Sequence, residues 1–421
     1  MAYSHRQDNL DEQLRRDRRI ETRAKLKKRL EWMIPLGFFS ALLIIGLIYL
    51  FQKLGSNKSD DQKIDYASLS PVTVLFAGDI SPSPEAVESY QIGRGYDFSA
   101  CFHSVMAQTL SADLAVANLE GNISDSADKA NYPPALLNSL SSIGFDILQT
   151  GNSYSIQNGI TGLKRTRSEI ENAGMQSVGT CISKEEYDQT GGIIIKEVNG
   201  IRFAFLAFTK GMVDNMHIPE EAAWCVNLLY SDDVTYSKIA SDSIANTVKR
   251  AKAMNPDVIV ALVHWGSEYN DEITESQRKI ADLLCKNGAS LIIGTHSHYV
   301  GPIVQMKNES SPTGSTLIAY GLGDFVSSAD TEVARSGCIL NVQFKRTEER
   351  VILSNVQYTP VYSTEPSEAL ECNSWEVLDC LQAVKFYEEN YYDRVSEPIY
   401  DLLLKVISHM KDQTGAAEWQ K

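Results

Sequence analysis

Residues 260–303 constrain the fold of this chain more than any other stretch. Two apolar, β-branched runs, 258–263 and 291–293, predict buried strands. Between them, residues 274–287 have amphipathic helical spacing and stop at Gly288, a residue suited to a helix C-cap. A strand–helix–strand unit of this kind belongs in an open α/β sheet, where ligands bind at the carboxyl ends of the parallel strands. His264 follows the first run, and His296 and His298 follow the second; these are three of the chain's seven histidines. One histidine alone reads as a satisfied core residue, and a His-x-His pair as a polar turn. Three at neighbouring strand ends favour a metal-ligand cluster.

Two carboxylates occupy similar places elsewhere. Residues 72–77 (VTVLFA) predict a buried strand, followed at once by Gly78 and Asp79. Asp79 suits a metal ligand or catalytic acid, and equally a turn or cap residue. Residues 113–118 predict a strand ending in Leu119, Glu120 and Gly121. A helix over 134–143 and a strand over 145–149 then run into a polar loop, TGNSYSIQNG, before a helix over 160–173 with a basic face. Residues 191–208 predict a hairpin turning at Asn199-Gly200. Residues 212–231 are irregular enough to form a loop over the site, and 234–253 predict a helix. Downstream, 317–326 read as a strand turning at Gly-Leu-Gly-Asp, 338–344 and 351–361 as antiparallel edge strands, and 375–411 as two helices.

The N-terminal part has a different composition. Residues 1–31 carry ten Lys or Arg against six Asp or Glu and end in a basic cluster from Lys25 to Arg29. Residues 32–52 contain no charged side chain and are long enough to span a hydrocarbon core of about 30 Å. The long charged leader and the lack of a small-x-small cleavage site favour an uncleaved anchor over a signal peptide. The basic flank predicts a cytoplasmic N-terminus, with the main domain outside. Residues 53–70 are polar and read as a linker. The whole chain has a net charge of −15, and the basic leader makes the remainder more acidic still. An acidic body lacks the positive footprint that nucleic acid requires. The seven cysteines contain no C-x-x-C pair, and most lie in apolar runs that suit buried free thiols; Cys372 and Cys380 could bridge in an oxidising compartment.

In order, the chain shows Gly78-Asp79, Asn118-Leu119-Glu120, a polar Asn loop, HWGSEYN from His264, GTHSH ending at His298, and YGLGDF containing Asp324. As a set these resemble the CapA/PgsA family of poly-γ-glutamate capsule biosynthesis proteins over residues 72–330; the anchor and stalk match its membrane-bound members. The resemblance implies a metallophosphatase-like α/β fold, a four-layer αββα sandwich over 71–362. One transmembrane helix would precede it, and a small helical appendage over 363–421 would follow. It also implies two divalent cations, with manganese, zinc and iron all admissible. Asp79, Glu120, His264, His296 and His298 are the implied ligands, with Asn118, Asn152, Ser153, Glu268 and Asp324 as supporting residues. Tyr154 and His264 are the candidates for a direct part in chemistry.

The third motif departs from the family pattern. Where the family has Ala-Asn-Asn-His followed by Asp and Gly, this chain has Gly151-Asn152-Ser153-Tyr154, then Gln157 and Gly159. Ser153 replaces a metal-binding Asn, Tyr154 replaces a His, and Asp324 stands where the family usually has Asn. A phenol titrating near about 10 is a poorer acid–base group at neutrality than an imidazole near about 6.5. Three functions therefore compete. The first is a membrane-anchored, extracytoplasmic component of capsule-polymer biosynthesis or export, working with other membrane subunits of a polymer synthase on an acidic polymer. The second is a metal-dependent hydrolase of envelope phosphoester or amide bonds. The third is a catalytically degenerate interaction module.

Overall fold

The computed structural model describes residues 70–415, apart from 127, 233–234, 367–373 and 391–394. The basic segment, the apolar stretch over 32–52, most of the linker and Cys372 lie outside the described residues. Among the described residues, no helix is long and apolar enough to cross a membrane.

Alternating apolar runs build two sheets. In the first, β1 (Val72–Ser81), β2 (Leu114–Leu119), β3 (Ile147–Gln149) and β4 (Gln176–Val178) are parallel neighbours in that order. The second contains the hairpin of β5 (Ile194–Val198) and β6 (Ile201–Thr209), then β7 (Val258–His264) and β8 (Leu291–Thr295), with β6, β7 and β8 parallel. It ends with β9 (Ile303–Lys307) paired antiparallel to β10 (Ser315–Ala319). The first sheet is completed by β11 (Asp324–Ser327), parallel to β1, and by the antiparallel strands β12 (Ser336–Arg346), β13 (Val351–Thr364) and β14 (Glu376–Asp379). The hairpin turn falls at Asn199-Gly200, as expected, with both residues at positive φ.

The sheets face one another across one apolar core. Val74 and Phe76 of β1 share it with Phe203 and Phe205 of β6. Phe203 meets Phe344 of β12 edge to face at 5.3 Å, a contact worth about 0.5–1.5 kcal/mol beyond its buried area. The alternate residues of the same strands point outward, because side chains alternate along a strand. Leu75 and Ala77 pack with Leu136, Leu137 and Leu140 of helix α1 (Pro134–Ser142) and Ile170 of α2 (Gly159–Asn172). Ala204 and Leu206 pack with α3 (Ser241–Ala253) and α4 (Glu275–Asn287) through Ile244, Val248, Ile280 and Leu284. The result is a mixed α/β sandwich with helices on its outer faces. At the C-terminus, α5 (Cys380–Glu388) and α6 (Glu397–Thr414) contribute Ala383, Leu403 and Met410 to the inter-sheet core.

Three elements differ from the sequence reading. The helix expected from 234 begins at Ser241. Upstream, one Asp232 carboxylate accepts backbone N–H groups from Thr235, Ser237 and Lys238, and Tyr236 has φ 50°; this local capture competes with helix formation. The run over 317–326 is two strands in different sheets, joined through Gly323 at φ 64°. Finally, β14 precedes the two C-terminal helices. Cys181, Cys225, Cys285, Cys338 and Cys380 are buried free thiols, and Cys101 is buried as well.

Candidate metal centre

Strand register assembles the site. Asp79 on β1 is opposite Asn118 on β2 and Asp324 on β11, and Asn118 is opposite Gln149 on β3. In the other sheet, Thr209, His264 and Thr295 form a matching row. Each row lies at or near the carboxyl ends of parallel strands, the place the sequence pattern indicated. The register of β1 shifts at Asp79, where Gly78 meets Gly323 so closely that a Cβ on Gly78 would stand 1.9 Å from the Gly323 carbonyl oxygen. A bulge with glycine at both contact points is therefore what aims the Asp79 carboxylate.

Five side chains converge there: Asp79, Glu120, His264, His296 and His298, all buried. They form two overlapping groups, Glu120–His264–His296 and Asp79–Glu120–His298, within each of which the ligand atoms lie within 4.8 Å of one another. Glu120 belongs to both. His296 and His298 adopt φ values of 86° and 57°, left-handed conformations that cost about 1–3 kcal/mol each in a non-glycine residue. Strain of this size at two histidines of one cluster marks a functional constraint.

The two groups are partnered differently. In the first, His264 Nδ1 is 3.1 Å from Thr295 Oγ1, while His264 Nε2 and His296 Nδ1 have no hydrogen-bond partner. Both Glu120 oxygens are equally unpartnered. His264 Nε2 does lie 3.2 Å from Glu120 Oε1, but the approach lacks hydrogen-bond geometry, so proximity alone does not satisfy either atom. Buried polar groups are nearly always paired. Four converging atoms without partners, one carboxylate and two imidazoles, are the donor set that a divalent cation takes.

In the second group, Asp79 accepts from Asn118 Nδ2 at 2.6 Å and from the His296 backbone N–H at 3.0 Å. His298 Nδ1 is 2.8 Å from Asp324 Oδ1, with Nε2 3.9 Å from Glu120 Oε2. That is a carboxylate–histidine arrangement, in which the outer carboxylate fixes the ring and raises its basicity. The third-motif loop is tied to this same group: Asn152 Nδ2 donates to Asn118 Oδ1 at 3.0 Å and to the Leu119 carbonyl at 2.7 Å. Its Oδ1 accepts the Tyr154 N–H at 3.0 Å.

Electrostatics follow burial. Desolvation holds the Asp79 carboxyl well above the ordinary range, with Glu120 adding to it. Desolvation likewise raises Glu120 to about 7. Burial drives His264 and His296 well below 6.5, so both are neutral imidazoles with a free lone pair. Burial also opposes charge on His298, but Asp324, Glu120 and Asp79 outweigh it and hold this ring well above 6.5. Burial raises the Tyr154 phenol above its usual value, helped by Glu120 and Glu268, so Tyr154 acts at neutral pH as a hydrogen-bond donor.

Of the other residues named from sequence, Asn118, Asn152 and Asp324 hydrogen-bond within the second group, Tyr154 lines the cleft beside His298, Glu268 is exposed, and Ser153 is tied instead to Val213, whose N–H donates to its carbonyl at 2.9 Å. Three further residues were not legible. Thr295 orients His264, and only strand register reveals it. Lys210 follows β6, donates to the Gly266 carbonyl at 2.8 Å and depresses both His264 and His296. Tyr269 stacks on His298 with ring centroids 4.9 Å apart. A cleft of about 500 Å³ opens beside His298 and Asp324, lined in part by Tyr154 and Tyr269.

Fold and site together define an α/β sandwich protein with a carboxylate–histidine centre at its strand ends. Residues 73–329 match the family described as bacterial capsule synthesis protein PGA_cap, and the chain belongs to that family. It is 25% identical over 334 residues to the PGA biosynthesis protein CapA of Bacillus subtilis (strain 168), covering 76% of this chain and 80% of that one. It is 26% identical over 266 residues to the capsule biosynthesis protein CapA of Bacillus anthracis, covering 61% of this chain and 59% of that one. Among solved structures, a calcineurin-like phosphoesterase YfkN from Bacillus subtilis aligns at TM-score 0.41 and 12% identity, over 81% of this chain and 97% of the other. A likeness that distant says nothing about chemistry.

Proposed function

We propose that this chain is a single-pass membrane protein whose main domain works outside the cell membrane in the biosynthesis or export of a capsule polymer, poly-γ-glutamate or a related one. Family membership supports the capsule role. The uncharged stretch over 32–52 and its basic N-terminal flank support the anchor and its orientation. Other membrane subunits of the polymer synthase are its natural partners, because a single-span anchor confines it to the same surface.

The domain is read as a metallophosphatase-like centre holding two divalent cations, manganese, zinc or iron. Glu120, His264 and His296 would hold one, and Asp79, Glu120 and His298 the other. The observation that carries this is the convergence of partnerless Glu120, His264 and His296 atoms in a fully buried place. Cations held there would supply Lewis acidity toward an anionic oxygen. The chain's own residues divide the remaining work. Thr295 and Asp324 orient His264 and His298, Asn152 and Asn118 position Asp79, and Tyr154 offers a hydrogen-bond-donating hydroxyl at the cleft. Full burial of His264, with Nε2 facing Glu120, suits a ligand more than a general acid.

Elemental analysis of the purified full-length protein tests the centre. About two cations per chain are expected in the wild type, and one or fewer in His296→Ala. Wild-type protein that takes up no manganese, zinc or iron on reconstitution overturns the reading. Protease accessibility in intact cells tests the orientation: the main domain should be cut and the N-terminal 31 residues spared.

A further inference from the structure

The segment over 212–231 meets the end of β4 at a rung that carries two thiols. Thr180, just past β4, forms an antiparallel bridge with Val226, and the next rung is a hydrogen bond from the Cys181 N–H to the Cys225 carbonyl at 2.9 Å. Cys181 and Cys225 therefore stand opposite one another, and both are buried. Opposite residues on a hydrogen-bonded antiparallel rung have Cα atoms roughly 5.5 Å apart and side chains on the same face. A disulfide spans Cα separations of about 4.4–6.8 Å, so a pair placed this way needs little backbone movement to close.

The other described cysteines offer no such arrangement. Cys101 and Cys285 pack in separate outer clusters, and Cys338 and Cys380 share the inter-sheet core. Register puts β13 between those last two, because Cys338 is opposite Pro360 and Asp379 is opposite Val361. Two strand spacings make about 9.5 Å, past the roughly 7 Å beyond which no bridge closes. Burial pushes the Cys181 thiol up to about 11 and the Cys225 thiol up to about 12; for Cys225 the next cause is the Cys181 thiol itself. Neither is an attacking thiolate in the packed protein. A bond between them must form as the chain folds, and once enclosed it is screened from reductants. Its place matters for the centre. Met212, Cys225 and Val226 pack on Ile156 and Leu163, and the Val213 N–H donates to the Ser153 carbonyl at 2.9 Å.

We propose that Cys181 and Cys225 form a disulfide that locks the 212–231 segment onto the third-motif loop. Two S–H bonds break and one S–S bond forms, while a disulfide oxidant of the thiol oxidoreductase class is reduced to two thiols that take up both protons. The inference rests on the reading that the main domain lies outside the cell membrane, because thiols stay reduced in the cytosol.

Oxidised glutathione, applied to the full-length protein in detergent a few degrees below its melting temperature, tests the pair itself. After alkylation, peptide mass spectrometry should find residues 181 and 225 cross-linked, at a mass two hydrogens below the sum of the free peptides. The oxidised protein should melt about 5 °C above the reduced one. Cys181→Ala and the Cys181→Ala, Cys225→Ala double variant should lose that difference. Protein alkylated at the moment of cell lysis should carry the bond already closed. No cross-link in oxidised glutathione, or a cross-link from either residue to a different cysteine, overturns the inference wherever the domain lies. Free thiols at 181 and 225 in cells whose protease accessibility places the domain outside overturn it too. A domain shielded from protease, with the pair still cross-linking in glutathione, removes the orientation while supporting the pair.

Discussion

The two halves of the centre share Glu120 but solve the problem of burial in opposite ways. The half formed with His264 and His296 is sealed: its imidazoles are neutral, and its facing atoms have no partners in the protein. The half formed with Asp79 and His298 is internally compensated. A histidine held above its usual pKa faces three carboxylates, and Asn118 and Asp324 complete the hydrogen bonding. It also borders the cleft and receives the third-motif loop through Asn152. On the proposed reading, the sealed half would hold one cation by its unpartnered atoms and the open half the other by pre-oriented ones, and any chemistry would belong to the open half.

The largest effect should come from the third motif. If the open half carries the chemistry, then Ser153 and Tyr154 are what limit it. Restoring the family residues in a Ser153→Asn, Tyr154→His double variant should raise phosphodiester hydrolysis by about 10²–10⁴-fold, the usual contribution of a placed general acid or base. Turnover of bis(p-nitrophenyl) phosphate at saturating metal checks this. An unchanged rate at full metal occupancy would mean that the centre lacks more than these two side chains.

Next in size is the shared ligand. Glu120→Ala should abolish both binding steps in a calorimetric metal titration, whereas His296→Ala should remove one. Thermal stabilisation by metal offers a second readout. A site at 1,000 times its Kd contributes about 4 kcal/mol, so chelation should lower the wild-type melting temperature by several degrees and leave Glu120→Ala unmoved. Two intact steps in Glu120→Ala would show that the halves are independent.

Asp324→Asn should act more selectively. The amide keeps the size but loses the charge that holds His298 Nδ1, so affinity should fall about 10–100-fold at the open half only. The sealed half should keep its affinity within experimental error. Equal loss at both would break the distinction between them.

Much of this was legible in the sequence, for identifiable physical reasons. The unit from β7 to β8 was readable because its β-branched runs flank a helix with unambiguous ends. Thr274 and Gln277 form a reciprocal capping box, and Gly288 closes the helix at φ 108°. The convergence of Asp79, Glu120, His264, His296 and His298 was readable because parallel strands deliver their last residues to one rim. What stayed hidden depends on register or on tertiary strain. Thr295 matters only because it is opposite His264, and Tyr269 only because its backbone is held against Ser297. The start of α3 was misread because apolar periodicity does not register an Asp232 carboxylate collecting backbone donors. The split of 317–326 between sheets was missed because the run's composition fits one strand as well as two.

The smallest expected effect sharpens the comparison from outside the centre. Glu376, on β14, is a carboxylate whose burial raises it to about 7, the same level as Glu120, but among the described residues it belongs to no histidine cluster. A carboxyl whose folded pKa lies above its unfolded value of about 4.5 binds its proton more tightly when folded. The contribution of Glu376 to stability is therefore most favourable below about pH 4.5, falls as pH rises toward about 7, and is level above that. Glu376→Gln should remove this decline. After allowance for the partial exposure of the group, the gain at pH 8 should be about 1–2 kcal/mol, with almost none at pH 4. Urea unfolding at the two pH values measures it. Manganese or zinc should leave that pH dependence intact, because among the described residues neither candidate metal group includes Glu376. A metal-sensitive contribution from Glu376 would mean that cation binding at the rim reaches the far edge of the first sheet, and the two halves could then no longer be treated as a local pair.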